Sequence, residues 1–288
     1  MKVFVTGATG WVGSAVVDEL LRAGHAVAGL ARTDEKAMAL AATGAQVVRG
    51  TLDDLDMLRT AASAADAVVH TAFNHDFSKF AENAEQDQRA IAALGGALEG
   101  ADRPLLVTSG LSGLPRGATE ADAAQSVWPR KSEQAAQAAR EGGVRVATVR
   151  LAPSVHGIGD HGFVPILVRM ARQHGVSAFI GAGENCWSGV HRLDAARLYR
   201  LALEQGATET AYHAVADEAV PFKAIAEVIG RRLGLPVESR DRGHFAWFAG
   251  MAGGDMAVSS ERTRRLLGWT PSGPSLLADL DQSAYYTG

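Results

Sequence analysis

The sequence predicts a doubly wound α/β fold, and three observations carry that expectation. Short apolar runs alternate with segments of helical periodicity along most of the chain. A glycine triplet, Gly7, Gly10 and Gly13, joins the first run to the first helix. The composition supports a large core, because 47% of the 288 residues are apolar and only 21% are charged.

The first run is Val3 to Val5, ending at Thr6, and Val12, Val16, Val17, Leu20 and Leu21 then share one helical face up to a stop at Gly24. Strand, glycine turn and helix in that order give each glycine a task. Gly7 turns the chain, Gly10 has no side chain to keep a pyrophosphate from the backbone, and Gly13 lets the helix pack close to the strand. The helix N-terminus offers free N–H groups and a partial positive charge to phosphates. Gly7, Thr9, Gly10, Trp11 and Val12 are therefore assigned to dinucleotide binding. Residues 6–13, Thr-Gly-Ala-Thr-Gly-Trp-Val-Gly, resemble the motif of extended and atypical short-chain dehydrogenase/reductases, whose glycine spacing differs from the G-x-G-x-x-G of other Rossmann enzymes. The resemblance implies a parallel-sheet Rossmann fold with a smaller C-terminal α/β substrate lobe. Residues 1–155 are assigned to the Rossmann domain, with 176–215 returning to it, and 156–175 and 216–288 to the lobe.

A second strand, His25 to Leu30, ends beside Arg32 and Thr33. An acid here would bond the ribose of NAD, whereas a basic residue accommodates the 2′-phosphate of NADP. Arg32 and Thr33 thus favour NADP(H) over NAD(H), with Asp34 as a ribose ligand in the alternative. After a helix from Asp34 to Thr43 and a strand from Ala45 to Val48, Gly50-Thr-Leu-Asp-Asp resembles the family's adenine-edge segment. Thr51 replaces its first acid. The resemblance places Leu52 against the adenine, and Asp53 reads equally as a helix N-cap. The fourth strand, Ala67 to His70, delivers Thr71, Ala72 and Phe73 to the carboxyl edge where open sheets bind ligands. By resemblance these residues follow the ribose and phosphates. His70 reads as packed, and His75 lies further out. Phe77 to Leu98 is a long Ala-rich helix, a type that extended members pair into a homodimer interface.

The fifth strand, Leu105 to Thr108, presents Ser109 and Ser112 to the active edge. In the family a serine or threonine here bonds the substrate oxygen, which makes Ser109 the first choice. The helix that follows, within Thr119 to Glu141, should carry Tyr-x-x-x-Lys, yet it contains no tyrosine. Alignment through Glu133 puts Gln125 and Pro129 at the two positions, and another register brings Arg130 or Lys131 near the ribose. A carbonyl that accepts hydride needs a proton, so another group must supply it or the chain does no redox chemistry. Arg130 and Lys131 can stabilise developing negative charge. After a sixth strand, Val144 to Val149, Arg150 opens a segment resembling Arg-x-x-x-Val-Tyr-Gly-Pro, which closes over the nicotinamide and includes Val155. His156 replaces its tyrosine, and an imidazole titrates near neutrality, as proton donation requires. The catalytic set is thus Ser109, Lys131 and His156, with His161 a weaker choice.

Beyond Phe163 to Gln173, a helix, Trp187, His191 and Arg192 read as substrate-side residues, with His191 and Arg192 as a brace between the lobes in the alternative, and Asp194 reads as the cap of a helix from Ala195 to Glu204. Pro221 to Leu233 is amphipathic. Arg240 to Gly254, rich in aromatics and glycines, reads as a lid or as a packed helix. Leu266 to Pro271 resembles the closing segment of extended members.

The net charge of −4 does not favour a nucleic-acid surface, and the single cysteine, Cys186, excludes an internal disulfide and a cysteine-rich metal site. No metal ligands are assigned. No apolar run reaches membrane-spanning length, and Met1-Lys2 leads straight into a strand without room for a signal peptide, so a cytoplasmic location is expected. The function expected is an NADP-dependent oxidoreductase acting on a small, partly apolar carbonyl or related substrate. The alternative is a non-catalytic NADP-binding sensor or regulatory module, which the missing tyrosine supports.

Overall fold

Residue alternation along β1 (Lys2–Thr6) divides the main core in two. Val3 and Val5 join one buried cluster and Phe4 joins the other. In the computed structural model, which describes residues 1–124 and 129–287, the chain continues through α1 (Trp11–Arg22), β2 (Ala26–Ala31), α2 (Asp34–Ala42), β3 (Gln46–Arg49), α3 (Leu55–Ser63) and β4 (Ala67–His70). Next come α4 (Phe80–Gly96), β5 (Leu105–Gly110), α5 (Ser132–Glu141), β6 (Val146–Leu151) and the short β7 (Ser154–His156). They are followed by α6 (Phe163–His174), β8 (Ser177–Ile180), β9 (Cys186–His191), α7 (Arg192–Glu204) and β10 (Ala211–Ala214). The last elements are β11 (Asp217–Pro221), α8 (Phe222–Leu233), β12 (Val237–Arg240), α9 (Ala249–Ala252), α10 (Glu261–Leu267) and α11 (Leu276–Leu280).

Seven strands form one parallel sheet in the order β10-β6-β5-β4-β1-β2-β3. Val3 faces Val27 on one side and Ala67 on the other. Strand order reverses on either side of β1, which opens a crevice beyond the carboxyl ends of β1 and β4. Val16, Leu20 and Leu198 cover one face of the sheet, and Leu58, Ile91, Leu94 and Ala135 cover the other. This is the doubly wound Rossmann architecture expected from the sequence. Gly95 of α4 serves a contact within the chain: a Cβ there would lie 3.0 Å from that of Ala139 on α5.

The smaller lobe has its own core, including Trp187, Phe222, Ile225, Phe248 and Leu276. It holds a three-stranded sheet, β11-β9-β7, and a parallel pair, β12-β8. The expected return to the large sheet at residue 176 is displaced. Ser177–Ile180 pairs with Val237–Arg240 inside the lobe, and the chain rejoins the large body at α7 and β10. The physical reason lies in Phe179, whose side chain packs in the lobe core.

Asp194 is also not a cap. α7 begins at Arg192, behind His191, whose ring accepts a bond from the Leu193 N–H. The Asp194 carboxylate instead accepts from Ser272 N at 3.0 Å and Gly273 N at 2.7 Å and pairs with Arg197 at 2.9 Å, pinning the closing segment to the helix. The aromatic stretch after β12 packs down: Phe245 and Phe248 are buried, while Trp247 is 62% exposed and stacks on Phe77 with ring centres 5.4 Å apart. Among the described residues no helix is long and apolar enough to cross a membrane.

Candidate active site

A cavity of about 1130 Å³ runs along the carboxyl ends of the strands from the glycine turn to an aromatic end. Its first wall is the turn after β1, where Gly7 takes φ +67° and leaves no room for a side chain, since a Cβ would lie 2.7 Å from Ala72 N. Thr9, Gly10, Trp11 and Val12 line the same wall. The cradle at Gly7 and Gly10, open to the cavity at a helix N-terminus, fits a pyrophosphate. Trp11 is fixed from both sides. Its indole N–H donates to Val155 O at 2.7 Å, and the Arg192 guanidinium stacks 4.2 Å from its ring while donating to Trp11 O and to Ser14 Oγ. Arg192 therefore braces the turn from within the large body and takes no place on the cavity wall, which is neither the substrate-side role nor the brace between lobes expected from the sequence.

At the opposite end of the cofactor track, Arg32, Lys36 and Leu52 line the cavity. Arg32 is exposed and has no hydrogen-bond or ion-pair partner among the described residues. Asp34 faces away and pairs with Arg49 at 2.8 Å. Thr33 does not reach the wall either, because its hydroxyl caps α2 by accepting from Lys36 N. Asp53 accepts from Gln86 Nε2 at 2.6 Å rather than capping α3.

The middle of the cavity holds Thr71, Ala72, Phe73, Ser109, Ser112 and Val155, all expected there. The Ser109 hydroxyl has no hydrogen-bond partner among the described residues. Beside it lies Arg130, stacked 4.3 Å from the Phe73 ring. Its Nε donates to Ser132 Oγ at 2.9 Å and its Nη2 to Thr108 O at 3.1 Å. Burial lowers its pKa against the pull of the nearby Asp87 charge. Behind Ser132 runs a buried polar chain. Ser132 Oγ donates to Asp87 Oδ2 at 2.5 Å, Asp87 Oδ1 meets His70 Nε2 at 2.9 Å, and His70 Nδ1 meets Thr6 Oγ1 at 2.8 Å. This chain ties the start of α5 to the strand end before the glycine turn. His70 is thus packed, as read, but is bonded on both nitrogens.

Two of the three expected catalytic residues lie elsewhere. Lys131 sits at the surface, its ammonium 3.4 Å from Glu85, and does not line the cavity. An exposed pair of this kind contributes little, so Lys131→Ala should leave dinucleotide affinity and any turnover within about twofold of wild type by calorimetry and steady-state assay. His156 is buried and turned into the lobe, where Nδ1 meets Asp279 Oδ2 at 2.9 Å. Alternation along β7 sends Val155 to the cavity and its neighbour the other way. Trp187 and His191 are likewise off the wall, and Gln125 lies outside the described residues. No tyrosine substitutes for the missing one. Tyr199 approaches the active edge, but its hydroxyl is buried against Thr108 Oγ1 at 2.6 Å, and burial drives its pKa up.

Several wall residues were unsigned in the sequence. Phe77, Phe80, Phe163, Ile166 and Met251 form the apolar end. Asp160 lines the cavity with its carboxyl bonded by Gly162 N at 2.7 Å, and desolvation pushes its pKa up to about 6. His75 and His161 are also on the wall, the pKa of His75 lowered by burial and by Arg130.

A doubly wound sheet with a glycine cradle and a basic ribose end defines a dinucleotide-binding enzyme fold. A family model described as NAD(P)H-binding matches residues 7–184. An uncharacterized protein of Schizosaccharomyces pombe is 45% identical over 99% of this chain and 100% of its own length. An oxidase of Acremonium sp, ucsJ, is 28% identical over 97% of this chain and 95% of its own. A dTDP-glucose 4,6-dehydratase from Streptomyces venezuelae, solved with NAD bound, superposes with a TM-score of 0.78 at 20% identity, covering 99% of this chain and 97% of that one, a likeness of fold. The chain belongs to the NAD(P)H-binding family whose model it matches over residues 7–184, and its sequence lacks a Tyr-x-x-x-Lys pair.

Proposed function

We propose that the protein is an NADP(H)-dependent oxidoreductase acting on a carbonyl group of a small, partly apolar substrate. The observation that carries this reading is the continuous cavity joining the glycine cradle to an aromatic end, with Ser109 and Arg130 on its wall. The named activity of the Acremonium relative agrees with it. When bound, the nicotinamide supplies the hydride. The chain's residues do the rest. The N–H groups at the start of α1 hold the pyrophosphate, and Leu52 packs by the adenine. Phe77, Phe163 and Ile166 exclude water from the apolar end. Ser109 donates a hydrogen bond to the carbonyl oxygen, and the Arg130 charge lies beside it. Asp160, whose raised pKa keeps part of its population protonated near neutrality, is the carboxyl placed to return a proton to this end of the cavity.

The preference for NADP rests on Arg32 and Lys36, which line the wall while Asp34 is held by Arg49. Arg32→Ala should raise the Kd for NADPH by about 10- to 100-fold and leave that for NADH nearly unchanged, as expected for one charge-assisted phosphate bond. Equal affinity for both dinucleotides in the wild type would sink the preference. The oxidoreductase reading is tested by NADPH consumption across a panel of aryl and alkyl ketones and aldehydes. Tight NADPH binding with no turnover on any of them would favour the sensor role instead.

A further inference from the structure

Arg130 lies deep in the middle of the cavity, and its guanidinium makes no ion pair with a carboxylate among the described residues. One edge of the guanidinium, Nε and Nη2, is spent on Ser132 Oγ and Thr108 O, both uncharged. Nη1 has no partner among the described residues, which leaves the end of the fork open. The carboxylates nearest to it are occupied. Asp87 spends both oxygens on His70 and Ser132. Glu133 spends both on Arg150, in a fork–fork pair at 2.8 Å and 2.8 Å. Asp160, elsewhere on the cavity wall, is bonded by Gly162 N and makes no ion pair with Arg130. A guanidinium drawn out of water without a counter-ion is unfavourable, and the polar chain from Thr6 to Ser132 keeps it from swinging back to solvent. The side chain lines the same cavity as Phe77, Phe80, Phe163, Ile166 and Met251. A planar fork with an open end matches a carboxylate, and the aromatic end matches an apolar body.

We propose that Arg130 binds a carboxylate carried by the substrate, so that the substrate class is acidic carbonyl compounds with an apolar, aryl-sized body. This deepens the oxidoreductase reading and rests on it for the word substrate. Arg130 is then the specificity-determining residue of the cavity, and Asp87 and Ser132 are positioning residues that act through it.

The test uses a matched pair of probes, phenylpyruvate and benzyl methyl ketone, which differ by a carboxylate against a methyl group. Each is titrated by calorimetry into the full chain with and without NADP+, where no reduction occurs. Wild type should bind phenylpyruvate well ahead of the ketone, and Arg130→Met should shrink that ratio by about 30-fold or more with NADP+ affinity unchanged. Arg130→Lys, which keeps the charge without the fork, should hold the ratio above that of Arg130→Met. The proposal is overturned if wild type does not prefer phenylpyruvate, if the ratio survives in Arg130→Met, if Arg130→Lys does no better than Arg130→Met, or if NADP+ affinity falls instead, which would assign Arg130 to the cofactor. An unchanged ratio with a lower kcat would assign it to the developing alkoxide and overturn the carboxylate as well. Phenylpyruvate that binds through Arg130 but is not reduced by NADPH sinks the oxidoreductase reading alone, and so does a wild type that fails to bind NADPH.

Discussion

Gly13→Ala should cost the protein both its stability and its cofactor site, whereas Gly10→Ala, three residues earlier, should cost only the second. A Cβ on Gly13 would stand 2.0 Å from the carbonyl oxygen of Gly7 and 2.6 Å from Thr71 Oγ1. Neither can withdraw cheaply. Gly7 O accepts the bond from Gly10 N at 2.8 Å that closes the turn, and Thr71 Oγ1 donates to Thr6 O at 2.7 Å. The first turn of α1 would have to lift from β1, at a cost of about 3 kcal/mol or more, which lowers Tm by roughly 6–12 °C for a chain of this size. A Cβ on Gly10 meets only Gly7 O, at 3.2 Å, and the residue already has an ordinary φ of −83°. Its Tm should move by about 3 °C at most. The added methyl faces the space assigned to the pyrophosphate, so NADPH affinity should fall about tenfold or more. Thermal melts and calorimetry on the two variants separate the effects. Wild-type NADPH affinity in Gly10→Ala would falsify the placement of the phosphates over this turn.

Asp87→Ala should be the most damaging substitution outside the glycine turn. Asp87 is 1% exposed, and its two oxygens hold His70 Nε2 and Ser132 Oγ, themselves fully buried. Removing the carboxylate leaves the His70 Nε2 and the Ser132 hydroxyl proton unpaired inside the packed interior, a loss of about 3–5 kcal/mol. Tm should fall by roughly 6–20 °C. Ser132 also receives the Arg130 Nε bond, so the guanidinium should lose its register even in molecules that remain folded. Asp87→Asn preserves volume and one acceptor, and should recover part of the melting temperature. A melt of Asp87→Ala within about 2 °C of wild type would show that the chain of bonds from Thr6 to Ser132 contributes no stability.

The elements that sequence reasoning located well are those whose signal is local. Most of the seven strands of the large sheet are apolar runs because a parallel sheet is covered on both faces, and the glycine turn declares itself by spacing. The start of α5 did not, since its site chemistry depends on a residue in another helix. Asp87 sits in an Ala-rich stretch that looks solvated, yet Ala84, Ala90, Ile91 and Leu94 of that helix are all buried. An acid three residues from buried positions on either side was the available sign. His156 was misplaced because β7 is three residues long, too short for alternation to indicate which side faces the cavity. The lobe boundary was blurred because β8 could pair with either body, and only Phe179 in the lobe core decides between them. Lys131 and Arg130 are adjacent in sequence, and only the backbone path into α5 sends one to the surface and the other inward.

The clamp of Arg192 on Trp11 has a consequence for how the molecule is assembled. The turn proposed to receive the phosphates is encoded in the first dozen residues, but the cation that holds its indole and its backbone lies some 180 positions later. During synthesis the strand, turn and helix emerge long before α7 does, so the cradle must wait, unbraced, while the polymer that will lock it is still being made. Contacts of such long range are slow to close because a large loop must be brought together first. The dinucleotide site is therefore a late product of folding, even though its residues are among the earliest to be made.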